Sequence, residues 1–218
     1  MLNEQAIVEA SLGNLQDLRR HGVEVIVVDG GSSDGSAAIT QPLADLVIQA
    51  PRGRAAQMNA GAAIAAGEVL LFLHLDCRLP EAADRLIAEA LRDGHVGWGH
   101  FEIEIEGSNP FLRVIAGCMN WRSRWTRIAT GDQALFVRRS RFLAAGGFPP
   151  IALMEDIALC KILRASGHPA VADGKVRTSG RRWERHGILR TILLMWWLRL
   201  RYFLGGNPDR LADLYEAR

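Results

Sequence analysis

Two aspartates in a glycine and serine turn could bind a nucleotide or a sugar. Asp29 follows the apolar run Val23–Val28, and Asp34 lies further along in the turn DGGSSDGS. Carboxylates accept hydrogen bonds from sugar hydroxyls and base N–H groups, and glycine allows close approach to the backbone. The residues alone also fit a strand-to-helix turn in which Asp34 or Ser36 caps the helix.

Two arginines lie at the start of a predicted helix. The stretch PRGRAAQMNAGA holds Arg52 and Arg54 in a glycine-containing loop, and Asn59 follows on the same segment. Guanidinium groups and a helix N-terminus both suit an anionic diphosphate, and Asn59 could add a neutral polar contact. An ordinary surface loop with solvated arginines is the alternative.

A histidine and an aspartate follow the second strongly apolar run, Val69–Leu73. Asp76 could hold a hard cation such as Mg²⁺ or Mn²⁺, because these ions prefer oxygen ligands and share them with substrate phosphates. An imidazole suits Mn²⁺ better than Mg²⁺, so His74 is either a ligand or a hydrogen-bonding residue at the strand end.

Two further polar pairs occur in the second half of the chain. Asp132 and Gln133 precede a short strand candidate, 134–137, and Glu155 and Asp156 lie at the start of a predicted helix. The dipole of that helix favours negative charge at its first turn. Either pair could bind a ligand or could simply cap its element.

Alternating strands and helices must position these groups. The pattern strand, helix, strand, helix predicts an α/β architecture with ligands at the carboxyl ends of the strands. The stretch Phe101–Glu106 alternates apolar and acidic residues, which predicts an antiparallel strand with one exposed face and hence a mixed, mainly parallel sheet flanked by helices. The other predicted elements are strands at Val23–Val28, Leu46–Gln49, Val69–Leu73 and Ala134–Val137, and helices at Arg54–Ala66, Pro80–Asp93 and Met154–Ser166.

The composition argues against several classes of protein. A chain of 218 residues that is 49% hydrophobic can bury the core of one domain. Its 26 basic and 24 acidic residues give a net charge of +2, which makes no electrostatic case for nucleic acid. Three cysteines without a CxxC pair indicate neither a disulfide framework nor a zinc site. Without a signal-peptide pattern or a bilayer-length apolar run, we expect a cytoplasmic protein.

The C-terminal tail is predicted to form an apolar and basic amphipathic helix. The segment Ile188–Leu204 contains paired tryptophans together with Arg190, Arg199 and Arg201. Such a helix can lie in the headgroup region of a membrane and bring the site to a lipid acceptor. Packing on the catalytic domain or on a second subunit is the alternative.

These motifs, in this order, resemble glycosyltransferase family 2. They cover nearly the whole chain, and they are most similar to a bacterial subgroup with GRAxQMN and GDQA stretches, some of whose members are described as membrane-associated and named after diaponeurosporenoate glucosyl transfer. The resemblance implies a GT-A fold, a nucleoside-diphosphate sugar donor (usually UDP-linked), Mn²⁺ or Mg²⁺, and inversion at the anomeric carbon. The motifs are LNEQ, VVDGGSSDGS, PRGRAAQMNAGA, FLHLDCRLP, TGDQALFVRR, GGFP and MEDIAL.

The resemblance also implies roles for single residues on the donor side. Asp29 and Asp34 would contact the nucleoside, and Arg52 and Arg54 would lie near the diphosphate. We expect Asn59 to bind the nucleotide sugar together with these residues.

The metal and catalytic roles follow in the same way. Asp76 matches the last carboxylate of the DxD motif, the metal anchor, and His74 occupies the place of its first aspartate, a nucleotide contact. Asp156 matches the catalytic base, with Glu155 as the fallback. The residues expected on the acceptor side are Asp132, Gln133 and Trp183.

The resemblance assigns 1–180 to a nucleotide-sugar-binding and catalytic domain, and 181–218 to a helical extension that we expect to meet the inner face of the cell membrane. Relatives generally begin with a strand of the type SVIIP before LNE, whereas this sequence starts at Met1. We therefore expect the first strand, at the centre of the sheet, to be missing. A late start in the gene model and a genuine truncation would both explain it.

The leading hypothesis is sugar transfer to a hydroxyl or carboxylate acceptor, which could be a lipid. Nucleotidyl transfer is an alternative, because those enzymes also combine a glycine and arginine loop with metal-binding carboxylates. An inactive, truncated nucleotide-sugar-binding protein is the other. The sugar, the acceptor and the oligomeric state are not predicted.

Overall fold

The computed structural model describes residues 1–216, without the side chains of Arg182, His186 and Glu216. That part of the chain begins with two helices, continues with interleaved strands and helices, and ends with three helices. The strands are β1 (Ile26–Asp29), β2 (Leu46–Gln49), β3 (Val69–Phe72), β4 (Cys77–Arg78), β5 (Trp98–Glu106), β6 (Leu135–Arg138) and β7 (Ala170–Ser179). The helices are α1 (Gln5–Gly13), α2 (Gln16–Arg20), α3 (Ser36–Thr40), α4 (Arg54–Ile64), α5 (Ala83–Ala90), α6 (Phe111–Thr126), α7 (Arg139–Ala144), α8 (Glu155–Ala165), α9 (Arg181–His186), α10 (Ile188–Phe203) and α11 (Pro208–Glu216), with a 3₁₀ turn at Gly131–Gln133.

The strands form two sheets. One contains β1 and β2, and the other has the order β3-β6-β5-β7-β4. The pairs β1–β2 and β5–β7 are parallel, whereas β3–β6, β4–β7 and β5–β6 are antiparallel. The predicted α/β class with a mixed sheet is confirmed, but the expected predominance of parallel pairs is corrected, because β6 returns between β3 and β5.

Strand β5 differs from its prediction in its pairing. It pairs in parallel with β7 from Gly99 to Glu106, and the antiparallel contact with β6 involves only Trp98 and Gly99. The predicted exposed face is present, since Glu104 and Glu106 are both exposed. Alternation of apolar and acidic residues therefore identified the two faces of the strand but not the direction of its neighbour.

Helix α4 packs against both sheets. On one side, a Cβ added at Gly61 would lie 3.1 Å from Cγ2 of Val28 in β1. Ala62, its neighbour in the sequence, belongs to the same buried cluster as Leu70 of β3. Small residues on α4 thus allow one helix to join the two sheets.

The first residue lies along β1. The amino group of Met1 donates to the carbonyl oxygen of Val28 at 2.6 Å, and the N–H of Gly30 donates to the carbonyl oxygen of Met1 at 2.9 Å. Gln57 of α4 donates to both of those carbonyl oxygens. The β1 sheet and the five-stranded sheet are separate in the described residues.

The tail packs on the domain through one face. Leu198 of α10 and Leu211 of α11 are buried in the main apolar cluster together with Cys160 of α8. The ammonium of Lys161 lies 4.9 Å from the ring centre of Tyr202. No helix within residues 1–216 is long and apolar enough to cross a bilayer.

Substitution of Gly99 by alanine is expected to destabilise the fold. The new Cβ would lie 2.5 Å from the carbonyl oxygen of Ala170 and 2.6 Å from the Phe136 ring, so strands or side chains would have to move. We expect a loss of about 2 kcal/mol or more in the free energy of unfolding, measured by chemical denaturation. The control is Gly94→Ala, whose Cβ has open space; equal effects of the two substitutions would contradict the packing described for β5.

Candidate functional site

Strand register brings two distant loops to one edge of the large sheet. In the antiparallel pair β3–β6, Phe72 at the end of β3 lies opposite Leu135 at the start of β6. The residues after Phe72 and those before Leu135 are therefore neighbours. Nδ1 of His74 lies 3.2 Å from Oδ1 of Asp132 as a result.

Glycine at position 131 makes this contact possible. Any Cβ at Gly131 would collide with the His74 ring, so the ring lies directly against the backbone of the 3₁₀ turn. Burial opposes the charged form of His74, but the hydrogen bond and the charge of Asp132 outweigh it, so the pKa of His74 is raised.

The donor atoms near His74 fit a small divalent cation. One ligand atom from each of His74, Cys77 and Asp132 lies within 4.8 Å of the others. Asp76, the predicted anchor, is exposed beside them, with its Oδ1 3.8 Å from Sγ of Cys77. Burial raises the pKa of the Cys77 thiol, which therefore stays protonated. The carboxylate of Asp132, which was expected on the acceptor side, belongs to this cluster, whereas Asp76 is not one of its three members. A carboxylate and an imidazole suit Mn²⁺ better than a softer ion.

The start of α8 brings two adjacent carboxyl groups to the same place. Oδ2 of Asp156 accepts from the N–H of Gly131 at 2.9 Å, and Asp156 is half-buried. Glu155 is only 3% exposed. Burial, and then the charge of Asp156, raise the pKa of Glu155 to about 7. The more accessible Asp156 is the better placed of the two to meet a substrate.

Arg54 approaches these carboxyl groups from the start of α4. Burial lowers its pKa, but the Tyr215 phenol and the carboxyl groups of Glu155 and Asp132 outweigh that effect and raise it. The residue remains solvent-accessible, and Arg52 is exposed in the same loop. A guanidinium group thus faces both the carboxylates and the solvent from which an anionic ligand would come.

The aspartates of the DGGSSDGS turn accept hydrogen bonds from the turn itself and from the first helix. Asp29 is fully buried, and its carboxylate accepts from the Ser32 hydroxyl at 2.6 Å and from the Ser32 N–H at 3.0 Å. Asp34 accepts from the N–H of Gln5 at 3.0 Å. Hydrogen bonds from the Ser36 hydroxyl, then from its N–H, lower the pKa of Asp34. These hydrogen bonds fix the shape of the turn and hold it against the first helix.

Three predicted site residues have structural contacts instead. The Asn59 amide holds the backbone of Phe148, donating at 2.8 Å and accepting at 2.9 Å. Gln133, predicted on the acceptor side, is fully buried and donates to the Ser123 hydroxyl at 2.9 Å. Trp183, also predicted on the acceptor side, packs on the apolar cluster of β5 and α6.

Sequence reasoning missed two groups that face the site. Helix α6 was not predicted, and with it Arg122, which lies within electrostatic range of Asp156 and Asp132. The sequence identified Arg199 only as one arginine of the tail helix, yet this residue also lies within electrostatic range of Asp156. No local motif marks either arginine, so only the folded arrangement identifies them.

The sequence matches a known protein family. The model of glycosyl transferase family 2 matches residues 1–145. Among curated proteins, no relative matches the chain.

Several solved structures resemble the chain. The mannosyltransferase PcManGT from Pyrobaculum calidifontis, in complex with GDP-Man and Mn²⁺, is 26% identical, with a TM-score of 0.61 over 82% of this chain and 54% of that one. S. aureus TarS 1-349, in complex with UDP-GlcNAc, is 18% identical, with a TM-score of 0.65 over 82% and 56%. The chain thus spans about half the length of these two solved chains. The second likeness shows the fold alone, the predicted GT-A type.

The buried Glu155 predicts a distinctive dependence of stability on pH. Its pKa is about 7 in the folded protein against an ordinary 4.5, so its stabilising contribution is fully present below about pH 4.5 and is lost as the pH rises through about 7. Glu155→Gln cannot ionise. We expect its free energy of unfolding, relative to wild type, to gain on the order of 2 kcal/mol between pH 4 and pH 8.

Chemical denaturation at several pH values measures this difference. The exposed Glu9→Gln is the matched control and should follow wild type. A difference in the free energy of unfolding between wild type and Glu155→Gln that stays constant from pH 4 to pH 8 would contradict the buried environment described for Glu155.

Proposed function

Because the chain belongs to glycosyl transferase family 2, we propose that it transfers a sugar from a nucleoside-diphosphate sugar to a hydroxyl or carboxylate acceptor with inversion at the anomeric carbon. The observation that carries this proposal is the meeting of His74, Asp132 and Asp156 around Gly131, with Arg54 facing them. These residues would supply oxygen ligands for a metal, a base, and a cation for the diphosphate within one site.

On the donor side, Arg52 and Arg54 would bind the diphosphate. The cation, Mn²⁺ or Mg²⁺, would be held by Asp76 and Asp132 with His74 beside them, and when bound it supplies positive charge against the diphosphate. The DGGSSDGS turn would face the nucleoside. We take UDP as the first donor nucleotide to test.

In the transfer step, Asp156 would act as the general base. The acceptor oxygen bonds to the anomeric carbon while the bond from that carbon to the diphosphate oxygen breaks, and the hydroxyl proton passes to the Asp156 carboxylate. Attack opposite the leaving diphosphate inverts the configuration. Glu155 is too buried to reach an acceptor, and we assign it to tuning its neighbour.

We also propose that the protein works at the surface of a membrane. Helices α6 and α10 lie side by side, since Ile188 and Ile192 pack on the cluster that contains Ile115. Their outer faces carry exposed apolar side chains, among them Trp125 at 76% and Trp196 at 73% exposure. We call this set the tryptophan surface: Phe111, Val114, Trp121, Trp125, Leu189, Leu193, Trp196, Trp197, Leu200 and Phe203.

The charge of the two helices favours an anionic lipid surface as the partner. Each carries three arginines, and neither contains an aspartate or glutamate. Tryptophans that combine an apolar ring with a polar N–H suit the headgroup region, and basic residues add attraction to anionic lipids. The localisation that follows is the cytoplasmic face of the membrane, with 181–218 as the extension that helps to dock the domain.

Replacing the base should abolish transfer. We expect Asp156→Asn to lower kcat by about 10²-fold or more, because the amide cannot take the proton. The assay measures nucleoside diphosphate release from UDP- and GDP-sugars with Mn²⁺. The exposed Asp93→Asn is the control and should retain wild-type turnover.

Two results would count against the proposed function. One is a folded wild-type protein that turns over no nucleotide sugar with any divalent ion. The other is release of pyrophosphate from a nucleoside triphosphate, which would identify a nucleotidyltransferase instead.

Vesicle binding tests the tryptophan surface. We expect co-sedimentation with vesicles of phosphatidylglycerol and phosphatidylcholine, weaker binding to phosphatidylcholine alone, and about a tenfold loss in Trp196→Ser, because a large apolar ring leaves the interface. Leu143→Ser, at an exposed apolar residue of α7, is the control. Failure to bind vesicles together with concentration-dependent self-association would assign the surface to a second copy instead.

A further inference from the structure

Arg122 carries buried donor groups that nothing satisfies. Its Nε and Nη2 are shielded from solvent and have no hydrogen-bond partner among the described residues. A guanidinium with unmade hydrogen bonds in a partly buried site is costly, because both desolvation and the lost bonds oppose it. A ligand with anionic oxygens would complete these donors.

Helix α6 holds Arg122 in a fixed place. Asn120 accepts from the N–H of Ile103 at 2.9 Å and donates to its carbonyl oxygen at 3.0 Å, which fastens α6 to β5. Ser123 is bonded to Gln133 of the 3₁₀ turn at 2.9 Å. Arg122 lies between these two fastened residues, so its orphaned donors belong to a rigid segment next to the turn that carries Asp132.

A second arginine converges on Arg122 from α10. Leu198 fixes that part of α10 in the main core, and Arg199 is its neighbour in the sequence. Burial, then the positive charge of Arg199, lower the pKa of Arg122 to about 10. Two partly desolvated cations thus repel each other near Asp156, and an anion between them would remove that repulsion.

We propose that Arg122 and Arg199 bind an anionic oxygen group, a carboxylate or a phosphate, on an amphiphilic acceptor. This inference rests on the proposed function, since it names the acceptor class of the same site. Both arginines come from the two helices whose outer faces form the tryptophan surface. An acidic lipid would therefore place its chain along that surface, its acidic group on the arginines, and a hydroxyl near Asp156.

The proposed function gives a different anion, the donor diphosphate, to the Arg52 and Arg54 loop. That loop lies on α4, whereas Arg122 and Arg199 approach the carboxyl groups from α6 and α10. The two pairs would serve opposite partners, the diphosphate of the donor and the acidic group of the acceptor. This separation makes the acceptor pair testable without any donor present.

The test is equilibrium binding of defined amphiphiles, measured by calorimetry below their micelle concentrations and without nucleotide sugar. The probes are dodecyl phosphate, laurate and the neutral dodecanol. We expect at least one anion to bind more tightly than dodecanol, and Arg122→Gln and Arg199→Gln each to weaken that binding by about tenfold or more. Arg113→Gln and Arg190→Gln, on exposed residues of the same helices, are matched controls.

Thermal unfolding separates this role from a structural one. An unpaired buried cation opposes folding, so Arg122→Gln should keep or raise Tm while it loses anion binding; a fall in Tm without loss of binding would overturn the proposal. So would equal binding of dodecanol and the anions, or equal effects of the control substitutions. Nucleoside diphosphate release from the donor is measured separately, so failure of the anion site and failure of the proposed glycosyl transfer are distinguishable.

Discussion

The antiparallel register of β3 and β6 is the constraint on which the site depends. It sets Phe72 opposite Leu135 and so brings the loop after β3 against the turn before β6. Gly131 then contacts two partners at once, the His74 ring beside its Cα and the Asp156 carboxylate at its N–H. A side chain at position 131, or a slip in register, would separate the metal-binding groups from the candidate base.

Two charged groups at this site lower the stability of the fold. Glu155 is buried beside a second carboxylate, and Arg122 is partly buried near a second guanidinium with two donors unsatisfied. Each arrangement opposes folding, and the rest of the core must offset it. Both groups lie within electrostatic range of Asp156.

The sequence predicted the parts of the fold that follow local rules. The strand Leu46–Gln49 has the predicted bounds, and α4 and α10 begin at the predicted residues Arg54 and Ile188. Strand β7 was missed because Asp173 and Gly174 suggest a turn. In the structure these two residues form an irregularity in the pairing of β5 with β7, since Phe101 pairs with Ala172 and Glu102 pairs with Lys175.

Site residues were predictable only where motifs mark them. Asp76, Asp156 and Arg54 stand in motifs and lie close to the His74–Asp132 pair, whereas Gln133 and Asn59 stand in equally marked motifs and support the backbone. A motif predicts a local shape without saying which of its polar groups face the ligand. Arg122 could not be found in this way, because its importance arises from packing between helices that are distant in the sequence.

We propose that one edge of the sheet binds a nucleoside diphosphate together with a divalent cation. Calorimetric titration of UDP and GDP, with and without Mn²⁺, is the decisive experiment and is carried out on wild type and on Asp76→Asn. We expect at least one nucleotide to bind in the presence of Mn²⁺, and we expect the variant to lose the gain from Mn²⁺ while it retains binding without metal. Equal affinities with and without Mn²⁺, or an undiminished metal effect in Asp76→Asn, would rule out this site.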